Sequence, residues 1–394
     1  MNVAGNEVNA NRGPDVELGF NSRLESMRGL AALGVLLTHC FGIFQIDGIN
    51  AYWTLPFFDQ PANAKILTLI GSLLNPSGAV VAFFIISGYV LSLSLFRSRK
   101  PLRQQFGPYI VKRAFRLLPA MWVSILLFAM VREVVPNYVD PSYQSAFYSI
   151  LVTPITLGLV LQNCVLYQST INPVTWTMFV EVVGSLALPL MIVGSGLGKR
   201  AALGLMALLI ATAWLTRSGE FDARRFLFCF DAGVALACFP RLTEKVRLPI
   251  PLFLGGVFLL FIQRIASING IRGTVLLTVG ATMLLVAVIG AKDATTFRWL
   301  DIYPARFFGK ISYSLYLLHL AIIYALMQLL ACLGFLKVGG LLPTALLTVG
   351  TLVFTTVAAS TSYTFVELPM ILYGKKAYYY SLLIVRRNMQ HMNI

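Results

Sequence analysis

Long apolar segments with almost no charge recur from one end of this chain to the other. Hydrophobic residues make up 57% of the sequence and charged residues 12%, about half the charged share of a soluble domain. An apolar segment of about 20 residues satisfies its own backbone in a bilayer by forming a helix. We therefore predict an all-α fold, a polytopic membrane helix bundle. The predicted crossings are residues 26–46, 76–97, 114–133, 173–195, 200–216, 225–240, 249–264, 273–290, 311–335 and 341–371.

Lysine and arginine residues cluster between the apolar segments, and such clusters mark cytoplasmic loops. The loops agree on one orientation if ten helices cross and both termini are cytoplasmic. If a further apolar segment, residues 147–163, also crossed, the positive loops after it would lie on the wrong side of the membrane. We therefore predict that it is re-entrant or lies at the outer interface. The expected regions are a polar N-terminal segment (1–22), a transmembrane domain (23–373) and a basic, aromatic tail (374–394).

The net charge of +15 raises the question of a nucleic-acid partner. The basic residues lie between apolar segments, where they suit cytoplasmic loops and anionic lipid, so membrane lipid is the expected partner and nucleic acid is not. The five cysteines are scattered through apolar stretches without metal-type spacing. They are expected to be small buried hydrophobes, and no metal site is predicted.

The first predicted crossing contains an arginine and a histidine, Arg28 and His39, eleven residues apart. Three helical turns separate them, so both side chains share one helix face, about 16 Å apart along the axis. A histidine at that depth needs a partner, and it is either a packing residue or a functional one. A neutral histidine beside a carboxylate can take a proton from a hydroxyl. Glu181 has a similar predicted depth, so the geometry allows it to orient His39. The alternatives are another acceptor for His39 and, for Glu181, an interfacial carboxylate that reaches water.

Other polar residues interrupt the apolar helices. Arg113 and Arg116 lie one turn apart, a fork that suits phosphates, although a cytoplasmic anchor is the alternative. Trp176 lies five residues before Glu181, on another face, and is expected to line or anchor an entrance. In the second predicted crossing, Ser87-Gly88-Tyr89 adds hydroxyl groups to a polar path, although helix packing is the alternative for Ser87 and Gly88. In the ninth, Ser312, Tyr316 and His319 form one polar stripe on an apolar helix, which favours a cavity or polar pathway.

Taken in order, these motifs resemble the acyltransferase-3 family of bacterial integral membrane acyltransferases. The resemblance covers roughly residues 22–372. The matching pieces are Arg28-x10-His39, FFIISGYVL, RAFR with LLP, WTMFVE, Arg225-Phe226…Gly233, GKISYSLYLLH and TSYTFVELP.

The resemblance implies a ten-helix enzyme of the bacterial inner membrane that transfers an acetyl or other short acyl group. The donor is an acyl-coenzyme A, acetyl-coenzyme A in the first instance, used as co-substrate without a permanent cofactor. The acceptor is a hydroxyl of a cell-surface glycan, a lipid-linked sugar or another small molecule. We expect the single-domain form, without the SGNH-hydrolase-type domain that some members carry.

On this resemblance, His39 is the catalytic histidine and Arg28 its helix-one arginine, while Arg113 and Arg116 contact the coenzyme A phosphates. His39 acts as base or first takes the acyl group itself. Glu181 is expected to be catalytic together with His39 and Arg28. The residues expected to contact the acyl-coenzyme A donor, besides the two arginines, are Ser87, Tyr89, Trp176, Tyr313, Tyr316 and His319.

Two other classes fit the polar intramembrane residues less well. A transporter would use the histidine, glutamate and arginine residues as a pathway, but the chain has no detectable matching halves. A haem protein would use His39 and His319 as axial ligands, which leaves the arginine, tryptophan and glutamate residues unexplained.

Overall fold

The computed structural model describes residues 14–43, 55–98, 101–139, 153–216, 222–244, 246–291, 293, 295–335 and 341–391. Over these residues the chain is helical and contains no β-strand. The helices are α1 (Pro14–Ile43), α2 (Ala62–Leu74), α3 (Pro76–Phe96), α4 (Leu102–Val134), α5 (Leu157–Cys164), α6 (Trp176–Gly196), α7 (Lys199–Leu215), α8 (Leu227–Cys238), α9 (Arg241–Glu244), α10 (Pro249–Ile265), α11 (Gly270–Gly290), α12 (Tyr303–Cys332), α13 (Leu341–Ser362) and α14 (Leu368–His391). A π-helical segment, Tyr363–Glu367, joins α13 to α14.

The all-α prediction is confirmed over the described residues, and each predicted crossing coincides with a helix. Among the residues that the structure describes, six helical stretches are long and apolar enough to cross a membrane, whereas α8 and α10 are apolar but shorter. The six are Ala64–Phe96, Leu102–Val134, Pro173–Gly196, Gly270–Gly290, Tyr303–Cys332 and Leu342–Tyr380. The count of ten crossings and the cytoplasmic position of both termini therefore stay predictions.

Two apolar clusters form the core. One is built from α1, α4 and α12, and the other from α3, α6, α8 and α11. Glycines let helices touch backbone to backbone in both clusters. A Cβ on Gly88 would lie 2.2 Å from the Phe230 carbonyl oxygen, and one on Gly29 would lie 2.4 Å from the Gly309 nitrogen. Gly88 is thus a packing residue between α3 and α8, and Gly29 holds α1 against α12.

The chain before α6 folds back into the protein interior. Residues 147–152 of the segment predicted to be re-entrant or interfacial lie outside the described residues. The following helix, α5, has eight residues and is about 12 Å long, too short to cross a bilayer by itself. Asn172 is fully buried, and its side-chain amide donates to the Leu317 carbonyl at 2.9 Å and to the Ser124 hydroxyl at 3.2 Å. As a result, α6 begins inside the bundle.

The predicted orientation can be tested by labelling substituted cysteines with a membrane-impermeant reagent. With the native cysteines replaced, a cysteine at exposed Gln168 should label from outside. Cysteines at exposed Arg103 and Lys376 should label only in opened vesicles, because positive loops stay cytoplasmic. Labelling of Gln168 only from the cytoplasmic side would mean that the segment before it crosses and that the count of ten is wrong.

Candidate functional site

An internal cavity lies where the two apolar clusters meet. It leaves about 30 Å³ to the centres of water-sized molecules, room for about two waters. Three of its side chains are arginines and one is a carboxylate, so the cavity is positively charged. The lining residues are Arg28, Val80, Phe83, Phe84, Arg113, Arg116, Leu117, Thr177, Met178, Glu181, Ser312, Tyr313 and Tyr316.

Glu181 and Arg113 form an ion pair on the cavity wall. The second carboxylate oxygen of Glu181 accepts a hydrogen bond of 2.7 Å from the Ser87 hydroxyl, and Arg113 Nε donates to the Ser185 hydroxyl at 3.2 Å. Ser87 therefore does more than pack helices, because it helps to hold the cavity carboxylate. The partner predicted for Glu181 was His39, and the structure gives it Arg113 and Ser87 instead.

The predicted depth of Glu181 also needs correction. Glu181 was predicted at a depth similar to that of His39, whereas it shares its cavity and an ion pair with Arg113. The ion pair puts the two side chains at one level. The reason is that α6 starts inside the protein, after the buried residues Ile171 and Asn172, so its first turns lie deeper than a helix entering from the surface would place them.

Arg28 and Arg116 are the other two arginines that line the cavity. Arg28 lies over the Phe83 ring, with its guanidinium carbon 5.8 Å from the ring centroid. Its Nε is buried without a hydrogen-bond partner in the described part of the chain. A buried guanidinium donor of this kind is normally satisfied, so the cavity offers Arg28 Nε to an acceptor from outside the chain.

The histidines on α1 and α12 pair with each other. His39 Nδ1 lies 2.7 Å from His319 Nε2, and the two rings lie edge to edge, with an interplanar angle of 8° and centroids 5.0 Å apart. His319 Nδ1 lies 2.7 Å from the Tyr316 carbonyl oxygen. A metal between two imidazoles needs about 2 Å to each nitrogen, so this pair in its present geometry leaves no room for the haem iron considered above.

The polar stripe predicted on α12 runs from the cavity to the histidine pair. Ser312 and Tyr316 line the cavity, and the Tyr316 ring packs against the His319 ring with centroids 5.9 Å apart. Tyr313 also lines the cavity, and its hydroxyl donates to the Leu117 carbonyl at 2.6 Å. Tyr316 is thus the side chain that joins the positive cavity to the two histidines.

Two residues expected at the site lie elsewhere. Trp176 packs among aromatic rings, 5.3 Å from Phe226 and 6.5 Å from Phe84 by ring centroids, instead of lining the cavity. Tyr89 is buried in the apolar cluster around α3 and α8. Helix periodicity agrees with both positions, because Trp176 lies about 140° around the helix from Glu181 and Tyr89 about 160° from Ser87.

The sequence analysis missed Thr177, and it missed Glu367, a buried carboxylate outside the cavity lining that interacts electrostatically with Arg28 and Arg116. Thr177 lines the cavity, and its position four residues before Glu181, on the same helix face, is a signal that could have identified it. Glu367 is buried at the end of the π-helical segment and accepts a hydrogen bond of 3.0 Å from Ser314. No helical periodicity predicts its direction, because the π turn changes the register of the side chains.

These observations define a helical, multi-pass membrane protein with a positive cavity and, behind it, a histidine pair in which His319 is fully buried and His39 partly buried. A family model described as an acyltransferase domain matches residues 21–360. Because the match covers most of the chain, the protein belongs to the acyltransferase-3 family, and membrane acyltransferase activity follows from that membership. No curated protein and no solved structure matches the chain.

Proposed function

We propose that this protein is an O-acyltransferase of the bacterial inner membrane. It moves an acetyl or other short acyl group from an acyl-coenzyme A to a hydroxyl of a cell-surface glycan, a lipid-linked sugar or another small acceptor. The observation that carries the proposal is the cavity with Arg28, Arg113 and Arg116 on its wall, joined through Tyr316 to the His39–His319 pair.

The donor's phosphates bind at the arginines. The cavity holds three positive side chains against one carboxylate, and its buried Arg28 Nε has no acceptor among the residues that the structure describes. Guanidinium groups bind phosphate oxygens in pairs, which suits a diphosphate. Arg28 and His39 are separated by about 16 Å along α1, so the donor needs a long, thin arm to bring its thioester to the histidine, and the cavity must widen to admit it.

The reaction at His39 is a proton transfer followed by acyl transfer. The neutral imidazole takes the proton of the acceptor hydroxyl, and the oxygen attacks the thioester carbonyl carbon. The carbon–sulfur bond breaks, and the thiolate leaves and takes the proton back from the imidazolium. In the second route the His39 imidazole attacks the thioester carbonyl carbon, the carbon–sulfur bond breaks and the thiolate leaves. The acceptor hydroxyl then attacks the acyl-imidazolium, the carbon–nitrogen bond breaks, and the hydroxyl proton passes to the thiolate. Both routes need the same residues.

The function is tested with purified protein and acetyl-coenzyme A. The expected result is release of the free thiol that depends on added membrane lipids and glycans, with an added acetyl mass on one acceptor. Mass spectrometry of surface glycans and lipids from cells with and without the gene then identifies that acceptor. If short acyl-coenzyme A donors released no thiol and the two glycan and lipid profiles were identical, the proposal would be wrong.

Donor binding is tested by replacing Arg116 with lysine. Lysine keeps the charge but loses the planar two-pronged contact, so Arg116→Lys should weaken coenzyme A binding about tenfold. Arg113→Lys should act in the same direction. The measurement is the donor dissociation constant, by calorimetry.

A matched control is Arg103→Lys, at an exposed position of the same helix. If Arg113 and Arg116 serve only as cytoplasmic anchors, lysine should replace them without effect, since the positive-inside rule counts both residues equally. Unchanged donor affinity in both cavity variants, with normal expression, would remove the phosphate-binding role.

A further inference from the structure

We infer that His319 is a positioning residue that fixes the tautomer of His39, so that the proton sits on His39 Nδ1 and the lone pair on His39 Nε2. This inference rests on the proposed function, because it specifies which nitrogen of His39 reacts. It assigns to His319 a role other than contact with the donor.

The first step is to determine which nitrogen of His319 carries the hydrogen. Its Nδ1 lies 2.7 Å from the Tyr316 carbonyl oxygen, one helical turn back along α12. A carbonyl oxygen can only accept a hydrogen bond, so His319 Nδ1 is the donor and carries a hydrogen. Both rings lie in a low-dielectric interior, which favours neutral imidazoles. A neutral ring with its hydrogen on Nδ1 has its lone pair on Nε2.

The second step derives the tautomer of His39 from that of His319. The His319 Nε2 lone pair lies 2.7 Å from His39 Nδ1, so His39 Nδ1 must be the donor. A neutral His39 then has its lone pair on Nε2, the nitrogen that attacks an acyl carbon or takes a hydroxyl proton. When Nε2 is protonated, the imidazolium keeps its Nδ1–H bond to His319, which stabilises the charge that forms.

The pair is held in place by contacts on both histidines. His319 is fully buried, and the Tyr316 ring packs against it. The α1–α12 contact at Gly29 and Gly309 keeps the helices that carry the two rings close together. The Nδ1–H of His319 is held by its own helix, while the Nδ1–H of His39 is held by a residue 280 positions away in the sequence. The reactive form of His39 therefore depends on the packing of α1 against α12.

Nitrogen NMR of protein labelled only at histidine tests the inference directly. The chain has three histidines, so the spectrum is simple, and His391→Gln assigns the tail signal. The expected result is a protonated Nδ1 and an unprotonated Nε2 on both His39 and His319, with scalar coupling between His39 Nδ1 and His319 Nε2. A hydrogen on His39 Nε2, or loss of that coupling in the folded protein, would overturn it.

Two variants of His319 test its positioning role, because one of them should restore the turnover that the other loses. In His319→Gln, the amide oxygen can accept from His39 Nδ1, whereas the side chain in His319→Leu cannot. Turnover should fall about 10–100-fold in the leucine variant, as for other orienting partners, and the glutamine variant should recover most of it. Equal losses in two folded variants would contradict the positioning role.

The spectrum of the wild-type protein needs no activity and does not depend on how either variant folds. The inference and the proposed function can therefore fail separately. Absence of acyl transfer would refute the function with the tautomers still measurable, and a wrong tautomer would refute the inference with transfer intact.

Discussion

His39→Ala is expected to abolish acyl transfer while the protein still expresses and inserts. Loss of a general base costs about 100-fold to 10,000-fold in rate, and loss of an acyl-carrying nucleophile would cost at least as much. The histidine is held by the His319 ring, whereas the cavity carboxylate, Glu181, pairs with Arg113. The variant should therefore keep the cavity and its affinity for coenzyme A. The measurement is turnover by thiol release, together with the donor dissociation constant.

Thr38→Ala is a suitable control for His39→Ala, because it changes the neighbouring residue on α1. The Thr38 hydroxyl bonds the Gly34 carbonyl of the same helix at 2.8 Å, so its loss should leave turnover within about twofold, as expected for a hydroxyl that satisfies only its own helix. If His39→Ala kept more than about a tenth of wild-type turnover, His39 would have no chemical role.

Glu181→Gln is expected to destabilise the protein strongly. Glu181 and Arg113 are 8% and 12% exposed by side chain, and removing one partner of a buried ion pair leaves the other charge uncompensated. The expected loss is about 3–5 kcal/mol in the free energy of unfolding, measured by denaturation in mixed micelles. Asp222→Asn is the control, because it breaks the partly exposed Asp222–Arg224 pair and should change stability little.

The double change Glu181→Leu with Arg113→Met separates stability from function. Replacing a buried ion pair by apolar residues of similar volume is often neutral, so stability should return close to that of the wild type. Coenzyme A binding should remain weak, because one of the three cavity arginines is gone. A double variant that regained both stability and donor affinity would show that the Arg113–Glu181 pair serves the fold alone.

Helix content and family could be predicted from the sequence, and the reason is physical. A bilayer demands about 20 apolar residues for each crossing helix, so the helix positions can be read from hydropathy, and each predicted crossing coincides with a helix. The spacing of Arg113 and Arg116 places both on one face through the local geometry of a helix. The family assignment followed from the order of short motifs and is confirmed by the match to residues 21–360.

Within one helix, the sequence also determined which residues share a face. The polar stripe of Ser312 and Tyr316 does lead from the cavity to His319. The spacing of Tyr316 and His319 sets the hydrogen bond that holds His319 Nδ1. These relations span a single turn, so backbone geometry alone decides them.

Only the tertiary structure shows which side chains on different helices pair with each other. Glu181 meets Arg113 instead of His39, and His39 meets a histidine 280 residues away. These pairings depend on how deeply each helix starts and how it is rotated against its neighbours. Buried glycine contacts and the inward fold of the chain before α6 set those two quantities. Local periodicity carries no information on either, because it describes one helix at a time.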